Sequence, residues 1–206
     1  LVVKDAGTFD YVIVGAGSAG CVLAARLTED GSKSVLLLEG GGSDRTALCK
    51  VPGMVSIIHT VPQVKKKYDW GYKSAPRQQT LGRAIPQVRG KVLGGSSAIN
   101  GMVYVRGHRS DYDGWQADGA DGWGWDGCLP YFRKMEDWEG GSSDTRGADG
   151  PIAVTRPTGM SPVSELFMQA VHDVTDCGVV DDYNTGDSQG IGRVQLSSKN
   201  GRRHST

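Results

Sequence analysis

A glycine motif near the start of the chain constrains the fold more strongly than any other feature of the sequence. Residues 15–20, Gly-Ala-Gly-Ser-Ala-Gly, have the form GxGxxG and directly follow the apolar run 11–14. Apolar residues then recur at helical spacing, which predicts a helix over 18–30, and a second apolar run follows at 34–39. A strand, a helix and a strand within about 30 residues predict a parallel βαβ unit, here placed over 10–42.

Each glycine of this motif has its own use in dinucleotide-binding proteins. Gly15 permits the tight turn, Gly17 lets the backbone approach a pyrophosphate, and Gly20 lets the helix pack closely on the strand. The helix N-terminus adds unpaired N–H groups and about half a positive charge. An acid at the end of the second strand accepts hydrogen bonds from a ribose, and Glu39 stands there. Together these features favour dinucleotide binding over the alternative, an ordinary strand–helix turn.

A second glycine cluster follows about 75 residues later and is not another GxGxxG. It reads Gly-Lys-Val-Leu-Gly-Gly-Ser-Ser-Ala-Ile-Asn over residues 90–100. Adjacent glycines and serines let backbone amides and small donors approach a large flat ligand. The alternative is a Gly/Ser loop without a ligand.

The distribution of charge, the spacing of possible metal ligands and the hydropathy argue against nucleic-acid binding, a metal site and a transmembrane segment. The chain carries 23 Lys and Arg against 23 Asp and Glu, yet residues 61–110 hold ten basic residues and one acid, Asp69. The aromatic residues there follow no nucleic-acid-binding module, so we predict no nucleic-acid partner.

The four cysteines and four histidines lack metal-ligand spacing, which predicts no metal site. No apolar run approaches the roughly 18–20 residues that span a bilayer, so no transmembrane segment is predicted.

The two glycine clusters and their surroundings resemble the glucose-methanol-choline (GMC) flavoprotein oxidoreductases. Residues 10–24 resemble the start of that family's FAD-binding domain, and residues 35–39 resemble its second strand. Residues 90–104 match the first of the two family signature patterns. Shorter matches lie at 69–72, 106–108, 111–115, 122–125 and 200–203. The resemblance covers nearly the whole chain and is strongest with the choline-dehydrogenase-like and alcohol dehydrogenase branch.

The resemblance implies an α/β fold, with a Rossmann-like FAD-binding domain and the start of an α+β substrate domain. We expect the FAD-binding domain over residues 1–150, with an excursion that covers the cofactor at 43–88 and the second glycine cluster at 90–106. Residues 151–196 would begin the substrate domain, and 197–206 would return towards the FAD domain. We expect the C-terminal remainder of such an enzyme to be missing or to form a second chain.

By the same resemblance, the cofactor is FAD, with its pyrophosphate over the first motif and its adenosine at Glu39. Trp70 and the residues of the second cluster would lie along the ribityl chain and the isoalloxazine. The expected cofactor-binding residues are Gly15, Gly17, Ser18, Ala19, Gly20, Glu39, Gly40, Trp70, Gly90, Lys91, Gly95, Ser96, Asn100, Gly101, Met102 and Val103. Some relatives attach the flavin through a His immediately before the signature Asn. Here Ile99 stands at that position, which predicts non-covalent FAD.

The chemistry that the resemblance implies is oxidation of a small alcohol (CH–OH) to a carbonyl by hydride transfer to the flavin. The electron acceptor would be oxygen or a quinone-type carrier. The family's catalytic His pair is expected outside this chain, so no catalytic residue is assigned and the 206-residue piece alone is expected to be inactive. Two alternatives are a non-redox flavoprotein of this fold, such as a hydroxynitrile lyase or photodecarboxylase, and a catalytically silent dinucleotide-binding module. We expect a cytoplasmic location, free or peripheral to the inner membrane.

Overall fold

The chain forms two compact units in the computed structural model, which describes residues 7–187 and 189–206. The first unit comprises residues 7–101 with 205–206, and the second comprises 102–204. The division falls after Gly101, whereas the sequence analysis placed a domain boundary at 150. Residue 150 lies inside the second unit because residues 139–151 connect two strands that pair with each other. The assignment of the chain to FAD-binding and substrate domains stays a prediction.

The first unit contains short elements around one βαβ unit. Its helices and strands are β1 (Tyr11–Val14), α1 (Ser18–Leu27), β2 (Val35–Leu38), α2 (Ala47–Lys50), α3 (Val55–Thr60), α4 (Pro62–Tyr68), β3 (Tyr72–Lys73) and β4 (Pro86–Gln87). Single 3-10 turns lie at Pro52–Met54, Gln78–Thr80 and Gly95–Ala98.

The predicted βαβ unit is confirmed. β1 and β2 pair in parallel, from Tyr11 opposite Val35 to Val14 opposite Leu38. Helix α1 ends at Leu27, earlier than predicted, and in the segment that follows, the side chain of Asp30 accepts a hydrogen bond from the backbone N–H of Ser32 at 2.9 Å. Such an Asx contact favours a turn over further helix.

The core of the first unit lies between the excursion and the second glycine cluster rather than on the sheet. Its buried members are Cys49, Ile58, Tyr68, Val92, Ala98 and Ile99. Three of them come from the short helices α2, α3 and α4, and three come from the second glycine cluster. Val12 and Val14 of β1 are instead exposed, at 58% and 84%. The excursion therefore anchors the second glycine cluster by hydrophobic packing.

The second unit contains three longer helices and three pairs of short strands. Its elements are β5 (Val103–Tyr104), α5 (Arg109–Ala117), α6 (Trp125–Met135), β6 (Glu136–Trp138), β7 (Ile152–Val154), α7 (Pro162–Thr175), β8 (Gln195–Leu196), β9 (Ser198–Lys199) and β10 (Arg202–Arg203). β6 and β7 are parallel, whereas β5 with β8 and β9 with β10 are antiparallel. None of the helices in the described residues is long and apolar enough to cross a membrane.

The end of α6 and the start of α7 can be compared with the helix ends that the sequence predicts. The helical spacing of Leu129, Phe132 and Met135 in the sequence predicts a helix over 126–138, but α6 ends at Met135 because the next three residues form β6 against β7. Strand pairing with a distant segment thus overrides helical spacing. The sequence also predicts a helix over 161–177, capped near Ser161 with Pro162 at its first position. Helix α7 begins there, and the Ser161 hydroxyl accepts a hydrogen bond from the Ser164 N–H at 3.2 Å.

Candidate cofactor-binding site

The first glycine motif forms the sharp turn between β1 and α1. Gly15 has a φ of +99°, a left-handed conformation that favours glycine, and its N–H donates to the carbonyl of Leu38 at 2.7 Å. A Cβ atom on Gly20 would collide with the carbonyl oxygen of Gly15. Gly15 is therefore favoured by its backbone conformation, whereas Gly20 is required by the close approach of helix and strand.

The N-terminus of α1 is open to an anion. Its N-cap is Gly17, which offers no side chain to cap the helix, and the first turn carries no acidic residue. Ser18 and Ala19 are exposed at this end. The first turn of a helix has N–H groups without intrahelical partners, so this end favours a phosphate.

Cys21, one turn further along α1, is a structural thiol. Its Sγ donates to the carbonyl of Ala16 at 3.4 Å, and burial raises the pKa of the thiol. A raised pKa keeps the side chain protonated and weakly nucleophilic at neutral pH.

Glu39 connects the ends of the two strands. One carboxylate oxygen accepts the N–H of Ala16 and the other accepts the N–H of Gly41, each at 2.8 Å. The side chain thus fixes the glycine turn and the loop after β2. Each carboxylate oxygen retains a further lone pair, which can accept from a ribose hydroxyl.

The two glycine clusters touch. A Cβ atom on Gly95 would lie 2.8 Å from the Cα of Gly17, and Gly95 has a φ of +56°. The N–H of Gly94 donates to the carbonyl of Ala16 at 2.7 Å. Gly90 packs directly on the carbonyl of Gly95. Within the second cluster, the N–H of Gly90 donates to the Ser96 hydroxyl at 3.0 Å.

Trp70 and Lys91 lie beside the loop that follows β2. The Lys91 ammonium is 4.8 Å from the centroid of the Trp70 ring, a cation–π distance. Gly40 faces the same ring, because a Cβ atom there would lie 2.9 Å from it. The backbone around Trp70 is held by the buried carboxylate of Asp69, which accepts the N–H groups of Gly71 and Arg89 at 3.1 and 3.0 Å.

The last predicted site residues fall at the division between the units. Asn100 and Gly101 are exposed at the end of the first unit. Ile99 points into the core at 1% exposure. Met102 and Val103 belong to the second unit, where Met102 is buried with a φ of +63° and Val103 is 54% exposed.

The first-unit residues fit a dinucleotide. Gly15 leaves open space where a side chain would project, α1 has no side-chain cap, and Glu39 has spare acceptor capacity. These are the requirements of a pyrophosphate at a helix N-terminus with an acid near the ribose. Among the residues that the structure describes, no three His, Cys, Asp or Glu side chains come together as metal ligands.

Sequence reasoning missed a buried ionic network in the second unit. Glu136, fully buried, accepts from Arg106 Nη2 at 2.6 Å and from Arg146 Nε at 2.9 Å. Arg146 Nη1 also contacts both carboxylate oxygens of Asp182, at 2.9 and 2.7 Å. Charged residues are normally exposed, so nothing in the separate segments signals this cluster.

Burial and hydrogen bonding act in opposite directions on the pKa of Asp182. Burial alone would raise the pKa of its carboxyl. Hydrogen bonds from the Asn184 N–H, the Gln195 amide and Arg146 outweigh burial and hold the pKa below its usual range. For the neighbouring Tyr104, the effects that raise the pKa are the stronger ones. Burial, and to a smaller extent the negative charge of Glu136, raise the pKa of its phenol to about 12.

Comparisons with known proteins agree with this geometry. Residues 9–206 match the sequence profile of the GMC oxidoreductases. The oxygen-dependent choline dehydrogenase of Vibrio vulnificus (strain YJ016) is 45% identical over 200 residues, which is 96% of this chain and 35% of that protein. The crystal structure of pyridoxine 4-oxidase from Mesorbium loti is 36% identical with a TM-score of 0.86, covering 95% of this chain and 38% of that one. An FAD-dependent oxidoreductase from Chaetomium thermophilum is 33% identical with a TM-score of 0.84, covering 96% and 35%. This chain thus spans about a third of the length of these proteins.

Proposed function

Because the chain belongs to the GMC oxidoreductase family, we propose that it forms the FAD-binding part of an enzyme that oxidises a small alcohol to a carbonyl compound. The observation that carries the proposal is the contact between Gly17 and Gly95. It brings the GxGxxG turn and the second glycine cluster together in one compact unit, as a shared FAD site would require. When bound, FAD supplies an acceptor for the hydride that leaves the alcohol carbon.

The first motif and Glu39 would hold the adenosine diphosphate half of FAD. The backbone at Gly15, Gly17, Ser18 and Ala19 would bind the pyrophosphate, supported by the partial positive charge of the α1 N-terminus. Glu39 would accept from the ribose with the lone pairs that Ala16 and Gly41 leave free. Gly20 keeps the helix close to the strand, and Gly40 keeps space beside Trp70.

The second cluster would hold the flavin half. The proposed residues are Trp70, Gly90, Lys91, Gly95, Ser96, Asn100, Gly101, Met102 and Val103. Lys91 adds a positive charge against the Trp70 ring, and the ring, 44% exposed, offers an apolar surface that excludes water. Met102 and Val103 are assigned on the family pattern alone.

We infer that FAD is bound without a covalent bond to the protein at this position. The support is the side chain of Ile99, which is aliphatic and lies in the core. Precipitation of the holoprotein with acid should release the yellow colour into the supernatant. Colour that stays with the pellet would refute the inference.

The substrate and the electron acceptor are proposed as classes. The 45% sequence identity to an oxygen-dependent choline dehydrogenase supports a small alcohol as the substrate. It also makes oxygen the first electron acceptor to test, and a quinone-type carrier the second. The base that takes the hydroxyl proton is proposed to come from outside residues 1–206. A cytoplasmic location, free or peripheral to the inner membrane, is proposed from the sequence.

Reduction of the flavin tests the reaction. Alcohols such as choline, pyridoxine and ethanol would be added without oxygen to an FAD-loaded enzyme that contains this chain together with the segment that supplies the proposed base. Bleaching of the visible flavin absorbance by at least one of them is expected. A flavin that binds but stays oxidised with every alcohol would favour a non-redox protein of this fold.

A pair of variants tests the cofactor site separately. Glu39→Gln replaces one acceptor oxygen by an NH₂ group, so one backbone N–H loses its partner and FAD affinity should fall roughly tenfold. FMN lacks the adenosine and should lose less affinity if Glu39 contacts the ribose. Glu29→Gln, on the exposed surface of the same region, is the matched control and should bind FAD as the wild type does. Equal losses in both variants would contradict the assignment.

A further inference from the structure

The side chain of His59 connects helix α3 to the second glycine cluster. Its Nε2 atom lies 2.8 Å from the carbonyl oxygen of Ile99. A carbonyl oxygen can only accept, so Nε2 carries the hydrogen and donates it. Ile99 directly precedes Asn100, one of the residues proposed to contact the flavin. The proposed FAD site itself gives His59 no role.

The peptide group between Ile99 and Asn100 is held on both sides. Its carbonyl accepts from His59, and its N–H, which belongs to Asn100, donates to the carbonyl of Ser96 at 2.9 Å. A trans peptide group is planar, and its C=O and N–H point in opposite directions. Two hydrogen bonds on opposite sides therefore fix the rotation of this plane, and with it the direction in which the chain enters Asn100.

Hydrophobic packing already keeps α3 close to this segment. Ile58, the neighbour of His59 in the chain, is fully buried in the same cluster as Ala98 and Ile99. Burial of apolar surface is non-directional, so it brings two segments together without setting the orientation of a peptide group. A hydrogen bond is directional and weakens steeply away from its preferred angle. His59 therefore adds orientation to a contact that packing has already made.

From these contacts we propose that His59 is a positioning residue for the flavin half of the cofactor site. It acts through the peptide group between Ile99 and Asn100, without touching the cofactor itself. While the hydrogen bond is present, Asn100 is held in one orientation towards the flavin. When the bond is lost, the peptide group can rotate and that orientation is no longer fixed. The proposal rests on the function proposed above, since it needs FAD to bind beside Asn100.

Substitutions of His59 separate hydrogen bonding from packing, in an enzyme that contains this chain together with the segment that supplies the proposed base. His59→Leu keeps an apolar side chain but has no donor, so FAD affinity should fall about two- to tenfold, the range for one lost hydrogen bond. The visible circular dichroism of the bound flavin should change as well. His59→Gln has an amide NH₂ group in place of the ring Nε2 and should restore most of both properties.

Two further variants complete the set. The amide of His59→Asn is one methylene group shorter and does not reach Ile99, so this polar variant should behave as His59→Leu does, and it carries the test if leucine prevents folding. His172→Leu is the matched control. The Nδ1 atom of His172 lies 2.8 Å from the carbonyl oxygen of Cys177 in the second unit. Loss of this equivalent contact should leave FAD affinity and flavin circular dichroism unchanged.

A double-mutant cycle tests whether the effect passes through Asn100. If it does, His59→Leu combined with Asn100→Ala should lose little more FAD affinity than Asn100→Ala alone. Losses that multiply would show that His59 supports the fold in general, and the proposal would be wrong. Unchanged affinity and circular dichroism in both folded variants, His59→Leu and His59→Asn, would also overturn it. These results differ from failure of the proposed function, in which the wild type itself would bind no FAD and both proposals would fall.

Discussion

Gly95 lies so close to Gly17 that a Cβ atom on Gly95 would come within 2.8 Å of the Gly17 Cα. The two residues belong to glycine clusters that are separated by the whole excursion 43–88. Hydrogen bonding reinforces the contact, because Gly94 N–H donates to the Ala16 carbonyl at 2.7 Å. Because the backbones of the two clusters pack directly on each other, the N-terminus of α1 lies beside the second cluster. The proposed FAD site requires this arrangement.

Replacing Gly95 with alanine should disrupt the proposed FAD site. The new methyl group would collide with Gly17, and a φ of +56° is strained for alanine. We expect FAD affinity to fall at least about tenfold and the free energy of unfolding to fall by about 1–3 kcal/mol. Flavin titration and urea denaturation measure the two effects.

Gly114→Ala is the control for that substitution. Gly114 lies in helix α5, and a Cβ atom there would meet open space. Alanine should raise the free energy of unfolding by about 0.5–1 kcal/mol and leave FAD binding unchanged. A Gly95→Ala variant that behaves like Gly114→Ala would show that the contact between the clusters is dispensable.

Glu136→Gln should be among the most destabilising single changes in the second unit. It removes the buried negative charge between Arg106 and Arg146, so two buried guanidinium groups lose a carboxylate partner. The expected loss in the free energy of unfolding is about 3–5 kcal/mol. Glu139→Gln, whose side chain is 38% exposed and 3.9 Å from Arg156, should cost less than about 1 kcal/mol. Similar losses in urea denaturation for both variants would argue against the network as a stabilising unit.

Two tyrosines next to this network should respond in opposite ways to loss of the hydroxyl. In the described residues Tyr104 Oη is buried without a hydrogen-bond partner, so Tyr104→Phe should leave the free energy of unfolding unchanged or raise it by up to about 1 kcal/mol. Tyr183 Oη donates to the Tyr104 carbonyl at 2.9 Å and accepts from the Gln195 N–H at 2.7 Å. Tyr183→Phe should therefore cost about 1–3 kcal/mol. Thermal unfolding of the two variants measures both effects. A larger loss of stability in Tyr104→Phe than in Tyr183→Phe would contradict the structure.

Stability should depend on pH through Asp182. Its carboxyl has a pKa below the usual range in the folded state, so the ionised form stabilises the fold. That contribution is present above the unfolded pKa of about 3.9 and is lost as the pH falls through the lower folded value. The difference in the free energy of unfolding between the wild type and Asp182→Asn should be widest near neutral pH and shrink below about pH 4. A difference that stays constant from pH 7 to pH 3 would rule out this role of Asp182.

The sequence by itself determined the βαβ unit and the chemistry of its turn. The apolar runs, the three glycines and Glu39 lie within one short segment, and their spacing follows from the geometry of a strand, a turn and a helix. The start of α7 also follows from nearby residues, because the capping Ser161 and Pro162 act on their own helix. These determinants are local, so periodicity and residue type suffice.

Only the tertiary structure decided what the distant segments do to one another. It showed that Gly17 meets Gly95, that Glu39 holds two backbone N–H groups, and that α6 stops at Met135 because the next residues pair with β7. It also buried Glu136 between two arginines, against the usual exposure of charged residues. Each of these depends on at least one partner outside the local segment, such as Gly95 for Gly17, Ala16 for Glu39 and Arg106 for Glu136. The free energy of a contact or of a buried charge depends on its partners. The residue pattern within one segment does not specify those partners, so it cannot predict the contact.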